Sequence, residues 1–165
     1  MNFISKEDFD ENTSGHDYWK GRWSYISEVS KIARQLNPEN CWEIGAGNCP
    51  VSKESFKTDM VAWGRVNMLL NFESKVPFLD RSFDLTIALQ VWEHLEGSQS
   101  IAFSELRRVS KNTVLSFPFM WECPKDPIHH QINYDQISKW TNNQKPEFSK
   151  IIKCEDGQDR IIYIF

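Results

Sequence analysis

Cys41-Trp42-Glu43-Ile44-Gly45-Ala46-Gly47-Asn48-Cys49-Pro50 decides the fold. Its first four residues are a short apolar run carrying one carboxylate. The two glycines after them permit a tight turn, so the stretch reads as a strand ending in a loop that lets a ligand approach the backbone closely. A dinucleotide fingerprint would need glycine where Pro50 stands, and a phosphate-cradling loop would follow its glycines with Gly-Lys-Ser/Thr; neither is present. What remains suits an amino-acid moiety or a ribose, with Glu43 placed to attract a positive group or a hydroxyl.

Upstream, Trp19, Trp23, Ile26, Val29, Ala33 and Leu36 recur by threes and fours, which predicts one helix from Asp17 to Asn37, stopped by Asn37-Pro38. Downstream, Val66 to Leu70, Leu85 to Leu89 and Thr113 to Phe117 are short apolar runs expected to form buried strands of a parallel sheet. Between the last two, Ala102, Leu106 and Val109 share one face of a helix over Ser98 to Ser110, leaving Arg107 and Arg108 to solvent. Asn133 is a cap for a helix reaching Asn143, with Ile137 and Trp140 inward. Phe148 to Cys154 and Arg160 to Phe165 flank an Asp-Gly turn and predict a closing antiparallel hairpin. The class is α/β, a sheet sandwiched by helices, whose ligands sit beyond the carboxyl ends of the strands.

The 165 residues suit one domain. We read residues 1–37 as an N-terminal helical segment and 41–165 as the core. Nineteen Lys and Arg against twenty-three Asp and Glu leave a net charge of −4, which argues against a broad basic face for nucleic acid. No apolar run approaches the roughly 20 residues of a membrane span, and Met1 to Asp10 lacks an apolar signal segment, so a cytoplasmic location is expected. Cys41, Cys49, Cys123 and Cys154 form no C-x-x-C pair and read as free thiols. Cys123, His129 and His130 are metal ligands by type, but adjacent histidines diverge and no spaced ligand pair accompanies them, so no metal is expected.

Five motifs in consistent order between Trp42 and Pro118 resemble those of the class I S-adenosylmethionine-dependent methyltransferases, in the branch grouped as type 11. They are Glu43-x-Gly45-x-Gly47, Val76-Pro77-Phe78-Leu79-Asp80-Arg81-Ser82-Phe83-Asp84, Ala88-Leu89-Gln90-Val91-Trp92-Glu93-His94-Leu95, Glu105-Leu106-x-Arg108-Val109 and Val114-Leu115-Ser116-x-Pro118. The resemblance implies a Rossmann-like methyltransferase sandwich whose terminal hairpin supplies the sixth and seventh strands. It implies S-adenosylmethionine as cofactor and S-adenosylhomocysteine as product. Gly45, Ala46 and Gly47 would pass under the methionine portion, with Glu43 near its amino group. Asp59 would accept from the ribose hydroxyls, Asn71 and Phe72 would hold adenine, and Gln90, Val91 and Trp92 would lie along the cofactor. Tyr18, with Trp19, would belong to a lid that the resemblance implies for the N-terminal segment, residues 1–37. Cys49 stands where the first motif commonly has a third glycine, and Pro50 follows it, so the helix after the turn is expected to be short or distorted.

Methyl transfer to a hydroxyl needs a base, and histidine is the residue type whose pKa suits neutral pH. His94, just past the fourth strand, and His129 and His130, after the fifth, are the candidates. The expected acceptor is a small molecule or sugar, methylated at oxygen. A second reading is a methyltransferase-fold module that binds without turnover. A nucleic-acid methyltransferase is disfavoured, since the chain lacks both a basic patch and a Pro-Pro-Tyr type motif. Oligomeric state is not written in the sequence.

Overall fold

Strands buried on both faces carry apolar residues in unbroken runs, and the central strands here do so. In a computed structural model, which describes residues 1–14, 16–19, 21–62 and 66–165, one sheet contains β1 (Cys41–Ile44), β2 (Phe56–Asp59), β3 (Met68–Leu69), β4 (Phe83–Leu89), β5 (Ser110–Pro118), β6 (Phe148–Ile152) and β7 (Arg160–Ile164). Their order is β3-β2-β1-β4-β5-β7-β6. The first five run parallel, with Trp42 opposite Phe56 and Thr86, and Ala88 opposite Leu115. β7 then pairs antiparallel with both β5 and β6, so the predicted hairpin closes the sheet.

Helices cover both faces. On one side lie α1 (Lys6–Thr13) and α2 (Trp23–Leu36), packing Phe9, Tyr25, Ile26 and Val29 over Leu85, Ile87 and Val114. On the other lie α3 (Gln99–Val109) and α4 (Tyr134–Trp140), packing Phe103, Leu106 and Ile137 over Trp42, Leu115 and Phe117. Val114 and Leu115 belong to opposite cores because successive strand residues point to opposite faces.

Four expectations need correction. The helix expected from Asp17 to Asn37 is broken: Asp17–Trp19 is a single 3-10 turn and α2 starts only at Trp23. Gly21 lies between them at φ +76°, where a Cβ would stand 2.7 Å from the Asp156 amide nitrogen, so the chain bends too tightly for a continuous helix. Lys20 lies outside the described residues. The strand expected from Val66 to Leu70 contracts to the two residues of β3 at the sheet edge, where Leu69 is 58% exposed because a neighbour covers only one side. α4 ends at Trp140 rather than Asn143, since Asn142 and Asn143 turn left-handed at φ +54° and +56°.

Arg108, finally, is no solvated residue. It donates to Asp80 Oδ1 at 2.7 Å, to the Phe78 carbonyl at 2.9 Å and to Glu105 Oε2 at 2.8 Å, while Glu105 also accepts from the Val76 amide at 3.1 Å. Two motif residues on α3 thus clamp the motif loop that leads into β4.

α1 was not foreseen. Its signature is the reciprocal cap at Ser5 and Asp8: Ser5 Oγ accepts from the Asp8 amide at 3.2 Å, and Asp8 accepts from the Ser5 amide at 3.0 Å.

Candidate active site

The carboxyl ends of β1, β2 and β4 open onto a cavity of about 720 Å³, within the 300–1,000 Å³ typical of small-molecule sites. Its floor is the turn after β1. Gly45 adopts φ +63° and Gly47 φ +52°, and the Gly45 amide extends the sheet ladder by donating to the Thr58 carbonyl at 2.8 Å. A Cβ at Gly45 would meet Val91 Cγ2 at 2.6 Å, so glycine is required there by packing as well as by backbone conformation.

Among the described residues no helix follows this turn. The Glu43 carboxylate organises the loop instead. It is buried and accepts from the amides of Val51 at 2.6 Å and Ser52 at 2.7 Å, and from Ser55 Oγ at 2.7 Å. Phe3 bridges to Ser52, and the Ile4 amide donates to the Val51 carbonyl at 2.8 Å, tying the N-terminal segment to the same loop. Glu43 lines the cavity, yet three donors already bind its oxygens.

Asp59, half-buried at the end of β2, lines the opposite wall and uses Oδ1 to accept from the Val61 amide at 3.2 Å. Leu70 and Phe72 complete that wall, with the Phe72 ring held at 5.3 Å from Trp42 and 5.6 Å from Trp92. After β4, Gln90 takes φ +56°. Its Nε2 donates to Ser116 Oγ at 3.1 Å, while its Oε1 is buried with no hydrogen-bond partner. Tyr18 and Trp19 form the rim with Arg22, whose guanidinium lies 3.9 Å from the Tyr18 ring centroid.

His94 ends a 3-10 turn, Trp92–His94, and lines the cavity. Its ring meets that of His129 edge-on at 5.0 Å. His129 stacks on Trp121 at 5.7 Å, bonds Asp126 Oδ2 through Nδ1 at 2.7 Å and brings Nε2 to 3.9 Å from Glu93 Oε1. Glu93 is buried and both of its carboxylate oxygens lack hydrogen-bond partners. Desolvation is the main reason its pKa is pushed up to about 8, against smaller lowering effects that include the charges of Arg22 and Arg160. Partial burial, then the neighbouring His129, lowers the pKa of His94.

The structure therefore gathers Tyr18, Glu43, Gly45, Ala46, Gly47, Asp59, Phe72, Gln90, Val91 and His94 around one cavity. Four candidates fall elsewhere. Asn71 is exposed outside the wall, and its carbonyl oxygen accepts from the Glu73 amide at 2.8 Å, an Asx turn in place of a ligand contact. Trp92 is a core residue, 1% exposed, that donates to the Gln99 carbonyl and backs Phe72. His130 is fixed in its own loop by accepting from the Cys123 amide at 3.1 Å. His129 stands behind His94 rather than on the wall.

Sequence reasoning missed His16, Tyr25 and Leu70, which line the cavity without belonging to a motif. Nor does the motif that contains Glu93 signal that its carboxylate is buried. For a metal, the donors that converge are Glu93, His94 and His129, all within 4.8 Å of one another, instead of Cys123 with two adjacent histidines.

A family model described as a methyltransferase domain matches residues 32–115, from the end of α2 into β5. Among solved structures, a protein from Pyrococcus horikoshii aligns with a TM-score of 0.67 and 11% identity, over 98% of this chain and 98% of its own. A Thermotoga maritima protein described as a SAM-dependent methyltransferase, possible histamine N-methyltransferase, aligns at 0.61 and 15% identity over 93% and 96%. The [4+2]-cyclase SpnF aligns at 0.60 and 12% identity over 88% and 83%. At these identities the likeness is one of fold. No curated protein matches this sequence.

Proposed function

The chain belongs to the methyltransferase-domain family, the S-adenosylmethionine-dependent methyltransferases of class I, and from that premise we propose that it methylates an oxygen of a small-molecule or sugar acceptor. The observation that carries the proposal is the layout of the cavity, where the glycine turn, Asp59 and His94 all open onto one space. In this reading the turn passes beneath the methionine portion of the cofactor. Asp59, with Oδ1 given to Val61, offers its remaining lone pairs to the ribose hydroxyls. Leu70 and Phe72 flank the adenine. Tyr18, Trp19 and Arg22 cover the site and exclude water.

Transfer needs alignment more than covalent help. S-adenosylmethionine, when bound, would supply an activated methyl group, and giving it to the acceptor oxygen would turn the sulfonium into a neutral thioether. The hydroxyl proton passes to His94, whose lowered pKa keeps the imidazole unprotonated and receptive at neutral pH, and then to solvent. A nitrogen acceptor that is already unprotonated needs no such base, so the placement of His94 supports oxygen.

The test is release of S-adenosylhomocysteine over a panel of hydroxylated small molecules, sugars and amines. His94→Ala is expected to lower kcat by about 10²–10⁴-fold while leaving affinity for S-adenosylhomocysteine unchanged. Asp59→Ala is expected to weaken that affinity about 10–100-fold, the loss of charge-assisted hydrogen bonds worth about 1.5–3 kcal/mol. Turnover confined to amines, or kcat indifferent to His94, would overturn the oxygen reading.

A further inference from the structure

Glu93 poses a physical problem that the proposed transfer does not resolve. Its side chain has no accessible surface, and both carboxylate oxygens lack hydrogen-bond partners. Left in that condition the carboxyl stays neutral, and it can carry its charge only with a compensating ligand or counter-charge. Arg160 acts on it only at longer range: its Nη1 is given to Asp156 and the Gln158 carbonyl, its guanidinium lies over the rings of Tyr25 and Trp121, and among the described residues it forms no ion pair with Glu93 within 4 Å.

What does face Glu93 is two imidazoles. His129 brings Nε2 to 3.9 Å from Oε1, and one donor atom from each of Glu93, His94 and His129 falls within 4.8 Å of the others. The His129 bond to Asp126 at 2.7 Å occupies Nδ1, which leaves the Nε2 lone pair toward Glu93. A carboxylate holding the far nitrogen of an imidazole is the usual support of a metal-bound histidine, since it fixes tautomer and ring orientation. Stacking on Trp121 fixes the ring further.

We propose that Glu93, His94 and His129 bind a divalent transition-metal cation just behind the cavity wall, at the point where His94 reaches it, and that the acceptor's oxygen completes its coordination. The second clause rests on the oxygen-methyltransferase reading; the first does not. Two imidazoles and one carboxylate suit zinc, cobalt, iron or manganese better than calcium or magnesium, which prefer oxygen ligands throughout. Bonds of about 2.0–2.2 Å place tetrahedral donors about 3.3–3.6 Å apart. The 3.9 Å between His129 Nε2 and Glu93 Oε1 is somewhat wider, so this pair closes by a small side-chain adjustment when the ion enters. Three protein ligands leave a position open, as in catalytic rather than structural sites. His94 is then a ligand instead of a base. The cation makes the coordinated hydroxyl acidic, its proton leaves to solvent, and the methyl carbon exchanges its sulfur bond for one to oxygen as before.

Chelator-treated protein titrated with Co²⁺ alone, followed by visible absorption and calorimetry, tests the site without turnover. One equivalent is expected to bind and give d–d bands of a low-coordinate nitrogen–oxygen site. Glu93→Gln and His129→Ala are each expected to weaken binding at least about 100-fold, and Asp126→Asn about 10–100-fold. His129 is partly exposed, so its variant carries the test should Glu93→Gln fold poorly. S-adenosylhomocysteine affinity is measured in parallel: if it persists while Co²⁺ fails to bind the folded wild type, the metal site alone is overturned. Co²⁺ binding that ignores both substitutions also overturns it.

Discussion

Trp42→Ala is expected to cost about 3–5 kcal/mol, a large part of the 5–15 kcal/mol that holds a domain folded. The indole has no exposed surface and sits among Phe72 at 5.3 Å, Phe78 at 5.0 Å and Phe83 at 5.3 Å. These rings come from three different segments, so the cavity left by truncation cannot collapse without moving β1 and the clamped loop before β4. The indole N–H also donates to Thr58 Oγ1 at 2.9 Å, and its removal leaves a buried hydroxyl unpaired. Urea unfolding measures the loss. A cost below about 1 kcal/mol would mean that this aromatic cluster is not the packing centre described here.

In metal-free protein, Glu93 is expected to give the second large effect, through pH. Its carboxyl pKa rises to about 8 on folding, mainly by desolvation, so the native state holds a proton that the unfolded chain releases near the ordinary glutamate value. The corresponding stability is fully present below that ordinary value and is lost as pH rises through about 8. The loss is bounded at about 4–5 kcal/mol by the size of the shift. His94, with its pKa lowered, contributes a slope of opposite sign up to the ordinary histidine value. The difference between wild type and Glu93→Gln therefore isolates Glu93: the variant gains relative stability steadily between about pH 5 and 8. Denaturant unfolding at a series of pH values reads it, and a constant difference across that window contradicts the burial of an ionisable carboxyl.

Much of the fold was legible because its central strands must be apolar on both faces. β1, β4 and β5 announced themselves as short branched runs, and the Asp-Gly turn announced the hairpin. β3 was over-read, since an edge strand with one neighbour does not need the buried face its apolar residues suggest. α1 was under-read because Phe9 is its one buried large apolar side chain, leaving only the Ser5-Asp8 cap as a signal. The glycine turn, Gln90 and His94 line the cavity because motif order fixes them at the ends of parallel strands, and Asp59 does so because it ends β2.

Asn71 and Trp92 adjoin such ends too, but turn chemistry claims the first and the core claims the second. The Glu93–His94–His129 convergence was hidden because α3, β5 and a loop separate its members in sequence. The positions of those donors follow from strand pairing of β4 with β5, which periodicity alone does not report. Arg108 was misjudged for the same reason: its partners at Val76 and Asp80 lie 32 and 28 residues away on a loop whose course only the fold determines.

The central claim is that the cavity beyond β1, β2 and β4 holds the cofactor, and calorimetric titration with S-adenosylhomocysteine tests it directly. Wild type and Gly47→Arg are compared, because a side chain at Gly47 enters open space at the cavity floor without striking the protein, at the modest cost of a left-handed backbone. The account predicts binding of the wild type in the micromolar range, about −8 kcal/mol, and at least a tenfold loss in the folded variant. Absence of binding to folded wild type, or equal binding by both proteins, would contradict it.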